Sequence, residues 1–244
     1  MENSNQIYNA YLESSGVSID SRSIKKGSLF FALKGPNFDG NKFAKDALKK
    51  GASYVVVDDA NSLEINDKFF LVEDSLNALQ NLALHHRKQL KIPIIAITGS
   101  NGKTTTKELI REVLSQKFLV HSTHGNMNNH IGVPITLLQI SKNHEVAIIE
   151  MGANHQKEIE KLCSIAQPNW GYITNFGKAH LEGFGSEEGV IIGKSELYEY
   201  LGKNKGKILV NKDDLIQVEK TKKYTRSFFG SKSECDICLL YTSP

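Results

Sequence analysis

The residues best suited to chemistry lie in ITGSNGKTT, Ile97 to Thr105. Gly99 and Gly102 let the backbone turn tightly. They bring the N–H groups of Ser100, Asn101 and their neighbours close to phosphate oxygens, an approach that bulkier residues block. The helix that follows, opening at Lys103, Thr104 and Thr105, turns its positive N-terminal end toward the same anion. Lys103 has the reach for β- and γ-phosphates, and the Thr104 hydroxyl can ligate Mg²⁺. The long phosphate-loop pattern, G-x-x-x-x-G-K-[ST], asks for glycine at position 97, where this chain has Ile97. The stretch is therefore either a shortened nucleotide site or a glycine-rich turn, and the order strand, GxxGKTT, helix favours the nucleotide.

Three other places carry candidates. Glu150, in IIEMGANHQKEI, ends an apolar strand where a second Mg²⁺ ligand is expected beside such a loop, although a strand-end acid can also simply face solvent. His180, in NFGKAHLEGFGS, follows a strand end and could bind metal as a neutral imidazole. Lys194 sits among Ile191, Ile192 and Leu197, so its ammonium needs a reason to lie near a core. Taken alone, His180 reads as a satisfied polar residue and Lys194 as a snorkelling surface lysine. The loop GNMNNHIGVP supplies Asn128 and Asn129, amides that could orient a substrate carboxylate or phosphate or could equally cap a helix.

Elements must position these groups, and the chain reads as α/β in two parts. In residues 1–90, VSIDSR, SLFFALKG, SYVVVDD and KFFLVED read as short strands. NKFAKDALKKGA and SLNALQNLALHHRKQL read as helices, and Pro93 marks the boundary. From residue 91 to about 237, apolar strands (IPIIAIT, FLVHST, EVAIIEMG, WGYITNF, GKILVN) alternate with helices. This is the pattern of a mostly parallel sheet covered on both faces, incomplete at its end. TTTKELIREVLSQ is expected to be a helix with Leu109, Ile110, Val113 and Leu114 facing a core. Segments 98–105, 150–154 and 175–185 each follow the carboxyl end of a strand and should converge. KTKKYTR, Lys220 to Arg226, reads as a solvated edge or loop. CLLYTSP, residues 238–244, completes no recognisable element and is expected to be a non-native tail, which makes Cys235-x-x-Cys238 an accident rather than half of a metal site.

With 30 basic and 27 acidic residues spread along 244 positions, nothing points electrostatically to nucleic acid. No apolar run reaches the roughly 18 residues needed to span a bilayer. The N-terminal residues, MENSNQIYNAYLESS, are polar and lack the layout of a signal peptide. Three cysteines do not make a disulfide framework, so a reducing cytoplasm fits.

Together, TGSNGKTT, EMGANHQKEI, NFGKAHLEGFGS and GNMNNHIGVP make the chain resemble the Mur ligase family over residues 17–235. Its short loop does not carry the earlier glycine, which accounts for Ile97. The resemblance implies an ATP-dependent ligase, ADP-forming, that joins D-alanyl-D-alanine to UDP-N-acetylmuramoyl-tripeptide through an acyl phosphate, as a cytoplasmic monomer. It implies that Lys103 contacts the ATP phosphates and that Thr104 and Glu150 hold one Mg²⁺. It implies further that His180 and a carbamylated Lys194 help hold a second. The first part would then be a UDP-binding module, with Asp20, Ser21, Arg22, Lys34, Gly35 and Asn41 as candidate contacts. A simple turn, strand and polar loop remains the alternative for those residues. Ala179 before His180 departs from the relative that adds the third amino acid. That relative, a folyl-polyglutamate-type ligase and a non-catalytic nucleotide-binding module are the competing readings. The resemblance also implies a third, carboxyl-terminal domain, without which residues 1–244 are expected to be inactive.

Overall fold

The computed structural model describes residues 2–63, 67–177, 181–231 and 235–238. Contacts divide the chain into two compact units, residues 1–90 with 137–139, and residues 91–136 with 140–244.

The first unit runs α1 (Glu2–Glu13), β1 (Val17–Ser18), β2 (Leu29–Phe31), a hairpin of β3 (Lys34–Gly35) and β4 (Phe38–Asp39), α2 (Ala44–Lys49), β5 (Tyr54–Val57), β6 (Phe69–Leu71) and α3 (Ser75–Gln89). Strands β1, β2, β5 and β6 form a parallel sheet in that order. Phe30, Ala32, Val55, Val57 and Phe69 pack there against Ala44 and Ala47 of α2. The small α2 residues let the helix lie close to the sheet. Helix α3 starts where the Asp74 carboxylate accepts from Asn77 N at 2.6 Å, an N-terminal cap. The polar opening segment forms α1. It buries Ile7, Ala10 and Tyr11, an i, i+3, i+4 stripe.

The second unit runs β7 (Ile94–Thr98), α4 (Lys103–Leu114), β8 (Val120–Ser122), α5 (Gly132–Leu138, whose last two residues group with the first unit), β9 (Val146–Glu150), α6 (Glu158–Ala166), β10 (Trp170–Ile173), α7 (Leu181–Phe184), α8 (Glu187–Lys203), β11 (Lys207–Asn211), α9 (Leu215–Lys220), β12 (Arg226–Gly230) and β13 (Ile237–Cys238). Its sheet has the order β13-β12-β11-β10-β7-β9-β8, parallel at every pairing. The chain enters at β7, runs out to the edge strand β8, returns to β9 between the two, then crosses to β10 on the other side. That reversal opens a crevice at the carboxyl end of β7, where sheets of this kind bind ligands.

Three expectations are corrected. Helix α4 turns only part of its apolar stripe inward: Ile110 and Leu114 are half-buried, whereas Leu109 is 64% and Val113 72% exposed, and the residue it buries fully is Lys107, at 0%. The packed face is rotated from that stripe and runs through Lys107, Ile110 and Leu114. The middle of KTKKYTR is the exposed loop expected, with Lys222, Lys223 and Thr225 exposed, but its ends lie in regular elements. Lys220 closes α9 and Arg226 opens β12, where its guanidinium donates to Val218 O at 2.6 Å and Thr221 Oγ1 at 2.8 Å. Cys238 is not outside every element, because β13 pairs Cys238 with Gly230. Residues 239–244 lie outside the described residues. Among the described residues there is no group of three or more His, Cys, Asp or Glu side chains arranged to hold a metal ion. None of their helices is long and apolar enough to cross a membrane.

Candidate functional site: a phosphate loop facing a buried carboxylate

Strand β7 is paired on both sides, Thr98 lying opposite Ile173 of β10 and Ile97 opposite Glu150 of β9. Ile97 is wholly buried within the strand, so position 97 belongs to the sheet and the loop begins at Gly99. Gly99 has φ +142°, and a Cβ there would collide with the Thr174 hydroxyl. Gly102 caps α4 in the left-handed region at φ +76°, and open space surrounds it. Only glycine takes both conformations without strain.

The loop is tied to the end of β10. Ser100 N donates to Asn175 O at 3.1 Å, Ser100 Oγ to Gly177 O at 2.8 Å, and Asn101 N to Asn175 Oδ1 at 3.1 Å. The Thr174 hydroxyl and the Asn175 amide both donate to Asn101 O, at 2.6 and 3.0 Å. Thr174 and Asn175 were not picked out individually from sequence. No local pattern announces a side chain that braces a backbone more than 70 positions away.

Lys103 Nζ donates to Gly99 O at 2.9 Å and Ser100 O at 3.2 Å, folding the ammonium over the loop. Burial holds its pKa below the ordinary lysine value, opposed by the charge of Glu150. Glu150 is 1% exposed. Its Oε2 accepts from the Thr104 hydroxyl at 2.9 Å and its Oε1 from Asn128 Nδ2 at 2.8 Å. Behind it, Lys107 Nζ stands 3.8 Å from Oε2 and donates to Thr123 O at 2.6 Å, while Glu150 N donates to Thr123 Oγ1 at 2.9 Å. Thr98 Oγ1 is buried there with no hydrogen-bond partner among the described residues. A fixed carboxylate, an adjacent hydroxyl and a cradle of backbone N–H groups suit a hard divalent cation carried on a phosphate.

Lys194, on α8, is 1% exposed and lies 5.4 Å from the centre of the Phe184 ring. Burial, and then repulsion from Lys103, bring its pKa down to about 8. It is therefore no snorkelling lysine, and its ammonium feels the charge of Lys103. On the same helix, Glu196 accepts from Lys157 N and Glu160 N at 2.6 and 2.9 Å and braces the start of α6. His180 lies outside the described residues.

The two asparagines have separate duties. Asn128 orients Glu150, as above. Asn129 Oδ1 accepts from Ile131 N and Gly132 N at 3.1 and 2.9 Å and caps α5, the alternative the sequence left open.

In the first unit the candidates form two groups, one around Asp20 and one around Asp58. Arg22 grips both Asp20 oxygens, at 2.9 Å each, and holds the Asp20 carboxyl down to about 2. Ser21 is buried and its carbonyl accepts from Lys50 Nζ at 2.7 Å. Lys34 pairs with Asp58 at 2.8 Å, and Gly35 lies in the hairpin beside it. Asn41 is spent inside the protein: Nδ2 donates to Asp39 and Asp58 at 2.9 and 2.8 Å, and Oδ1 accepts from Asp58 N at 3.1 Å. Asp58, which also accepts from Ser75 Oγ at 2.7 Å, is the hub that sequence reasoning missed. In VVVDD nothing distinguishes it from Asp59.

A short phosphate loop on the first strand of a doubly wound sheet, faced by a carboxylate from the neighbouring strand, defines a phosphate-loop nucleotide-binding protein. The chain belongs to the Mur ligase family. The family's middle domain matches residues 97–238, and the domain described as "Mur ligase family, catalytic domain" matches residues 13–99. The UDP-N-acetylmuramoyl-tripeptide–D-alanyl-D-alanine ligase of Bacillus subtilis (strain 168) is 41% identical over 204 residues, 83% of this chain and 44% of the relative. The chain thus spans less than half the length of that relative. Among solved structures, MurF from Acinetobacter baumannii aligns with a TM-score of 0.82 at 33% identity, covering 93% of this chain and 53% of that one. MurF ligase from Thermotoga maritima in complex with ADP aligns at 0.81 and 33%, covering 91% and 51%.

Proposed function

We propose that this chain is the nucleotide- and precursor-binding part of an ATP-dependent ligase that joins D-alanyl-D-alanine to UDP-N-acetylmuramoyl-tripeptide in peptidoglycan synthesis. The observation that carries the reading is the buried Glu150 carboxylate, held by the Thr104 hydroxyl on one oxygen and the Asn128 amide on the other. The substrates are those named for the relatives of Bacillus subtilis and Escherichia coli, each 41% identical. In this reading residues 1–90 hold the uridine diphosphate end through Asp20, Ser21, Arg22 and Lys34, with Asn41 and Asp58 shaping the hairpin. Residues 91–237 hold ATP. The protein works as a monomer in the cytoplasm.

A carboxylate is a poor acyl donor because its leaving group would be oxide. In the proposed reaction a terminal carboxylate oxygen of the tripeptide attacks the γ-phosphorus of ATP and ADP departs, leaving an acyl phosphate. The amine of D-alanyl-D-alanine then attacks the acyl carbon, loses a proton, and inorganic phosphate leaves. Two anions must meet in the first step. The backbone N–H groups of residues 99–105 bind the phosphate chain, and Lys103 moves from its loop carbonyls to offset the developing charge. Mg²⁺, when bound, neutralises and polarises the phosphates, and Thr104 and Glu150 would supply protein oxygens to it. His180 and Lys194 are proposed for a second ion. The lowered pKa of Lys194 leaves more free amine near neutral pH, the form that adds carbon dioxide and releases a proton to become a carbamate.

The test is ADP release by full-length protein supplied with the UDP-linked tripeptide and one amine at a time. Release with D-alanyl-D-alanine, and little with diaminopimelate or lysine, supports the assignment. Preference for an amino acid with the UDP-linked dipeptide points to the relative that adds the third residue. Binding of Mg-ATP without turnover on any amine points to a non-catalytic module.

A further inference from the structure

Helix α4 is amphipathic in an unexpected sense. Its apolar Leu109 and Val113 face solvent, while Lys107, four residues after Lys103 and so on the same face, is fully buried. Burying an ammonium is costly unless it is paired and hydrogen-bonded. Lys107 Nζ donates to Thr123 O at 2.6 Å, meets Glu108 Oε1 at 3.1 Å, and stands 3.8 Å from Glu150 Oε2. Glu108 is shared with Arg111 at 3.0 Å. Charges therefore alternate from the site outward: Glu150, Lys107, Glu108, Arg111. Glu108 and Arg111 are partly solvated, whereas Lys107 and Glu150 have side chains 0% and 2% exposed.

We infer that Lys107 is a positioning residue for the phosphate site: its buried ammonium is the resident counter-charge that fixes the Glu150 carboxylate against Thr104 and Asn128. The helix that opens the phosphate loop thus also sets the carboxylate facing it. Thr123 ties the two together, receiving Lys107 at its carbonyl and Glu150 N at its hydroxyl oxygen. A bare hydrogen bond to Thr123 would need no ammonium at this spot. The charge is explained by Glu150, which among the described residues would otherwise lie buried with neutral donors and the charge of Lys103. The part of this inference that concerns Mg²⁺ rests on the function proposed above; the Lys107–Glu150 coupling does not.

A double-mutant cycle on the 244-residue chain separates the two. Thermal unfolding is followed for the wild type, Lys107→Met, Glu150→Gln and the pair combined, each with and without excess Mg²⁺ alone. Lys107→Met is expected to lower the midpoint by roughly 10 °C, or to prevent folding, because it leaves a buried charge unpaired. Adding Glu150→Gln should recover at least half of that loss. Mg²⁺ should raise the midpoint of Lys107→Met more than that of the wild type and leave the double variant unmoved. If the double variant is as unstable as the two losses summed, or fails to fold as Lys107→Met does, Lys107 only anchors Thr123 and the inference is overturned. A positive cycle with no Mg²⁺ effect supports the coupling and removes Glu150 from the metal site instead.

Discussion

The Thr104 hydroxyl lies 2.9 Å from Oε2 of Glu150, joining the first turn of α4 to the end of β9 across the sheet. In the proposed site, a cation brought by a phosphate would exchange this one protein hydrogen bond for two oxygen ligands. Thr104→Val keeps the shape and removes the hydroxyl. In calorimetric titration of the 244-residue chain, it should weaken Mg-ATP by about tenfold or more while leaving magnesium-free nucleotide binding nearly unchanged. An equal loss in both titrations would contradict a metal-directed role.

Gly99 makes a prediction about backbone. Its φ of +142° and the Thr174 hydroxyl directly over its α-carbon leave no room for a methyl group. Gly99→Ala should cost roughly 1–3 kcal/mol locally and abolish measurable nucleotide binding, because the loop must shift away from Asn175. Gly102→Ala meets open space and pays only for its left-handed conformation, so it should bind nucleotide more weakly than wild type but detectably.

Asp58 should be the most sensitive surface-proximal position of the first unit. Its carboxylate serves Lys34, Asn41 and Ser75 together, and these partners hold its pKa down to about 2 against the opposing effect of burial. Asp58→Ala strands all three and should destabilise the chain by about 3 kcal/mol. Asp58→Asn, which keeps an acceptor, should cost less than half of that in denaturant unfolding.

Stability should also depend on His121. Burial, then the neighbouring His144, bring its pKa down to about 4, against the hydrogen bond with Thr136. The unfolded chain takes up this proton near pH 6.5, while the folded chain refuses it until about pH 4. Between those values the unfolded state binds more protons, so stability is full above pH 6.5 and falls as the pH is lowered, with a slope approaching about one proton per unit. His121→Gln retains a donor for the Thr136 carbonyl, and the His144 ring, 5.1 Å from that of His121, remains in both proteins. The variant's stability should therefore decline less steeply over this range.

Legibility in the sequence followed the range of the interactions involved. Strands β7, β9, β10 and β11 were readable because a two-sided parallel sheet demands short uninterrupted apolar runs, and IIAIT, VAIIE, WGYI and KILVN supply them. The loop was readable because its glycines, lysine and threonines are contiguous. The placing of Glu150 beside it needed only the rule that segments after strand ends converge. Helix α1 was missed because Ile7, Ala10 and Tyr11 sit among polar residues that dominate its composition. Helix α4 was legible, but not its inward face, because packing follows Lys107, whose partners Thr123 and Glu150 are 16 and 43 positions away. Asn129 became a cap and Asn128 a brace for Glu150 for reasons of local geometry that an Asn-Asn pair does not reveal.

The central claim, that this loop turns a carboxylate into an acyl donor, is tested most directly by labelling the substrate's carboxylate. The UDP-linked tripeptide, carrying oxygen-18 in its terminal carboxylate, is turned over by full-length protein with ATP, Mg²⁺ and D-alanyl-D-alanine, and the released inorganic phosphate is examined by mass spectrometry. The account predicts one labelled oxygen in each phosphate, lost from the carboxylate as the acyl phosphate breaks down. Unlabelled phosphate formed alongside ligated product would contradict it.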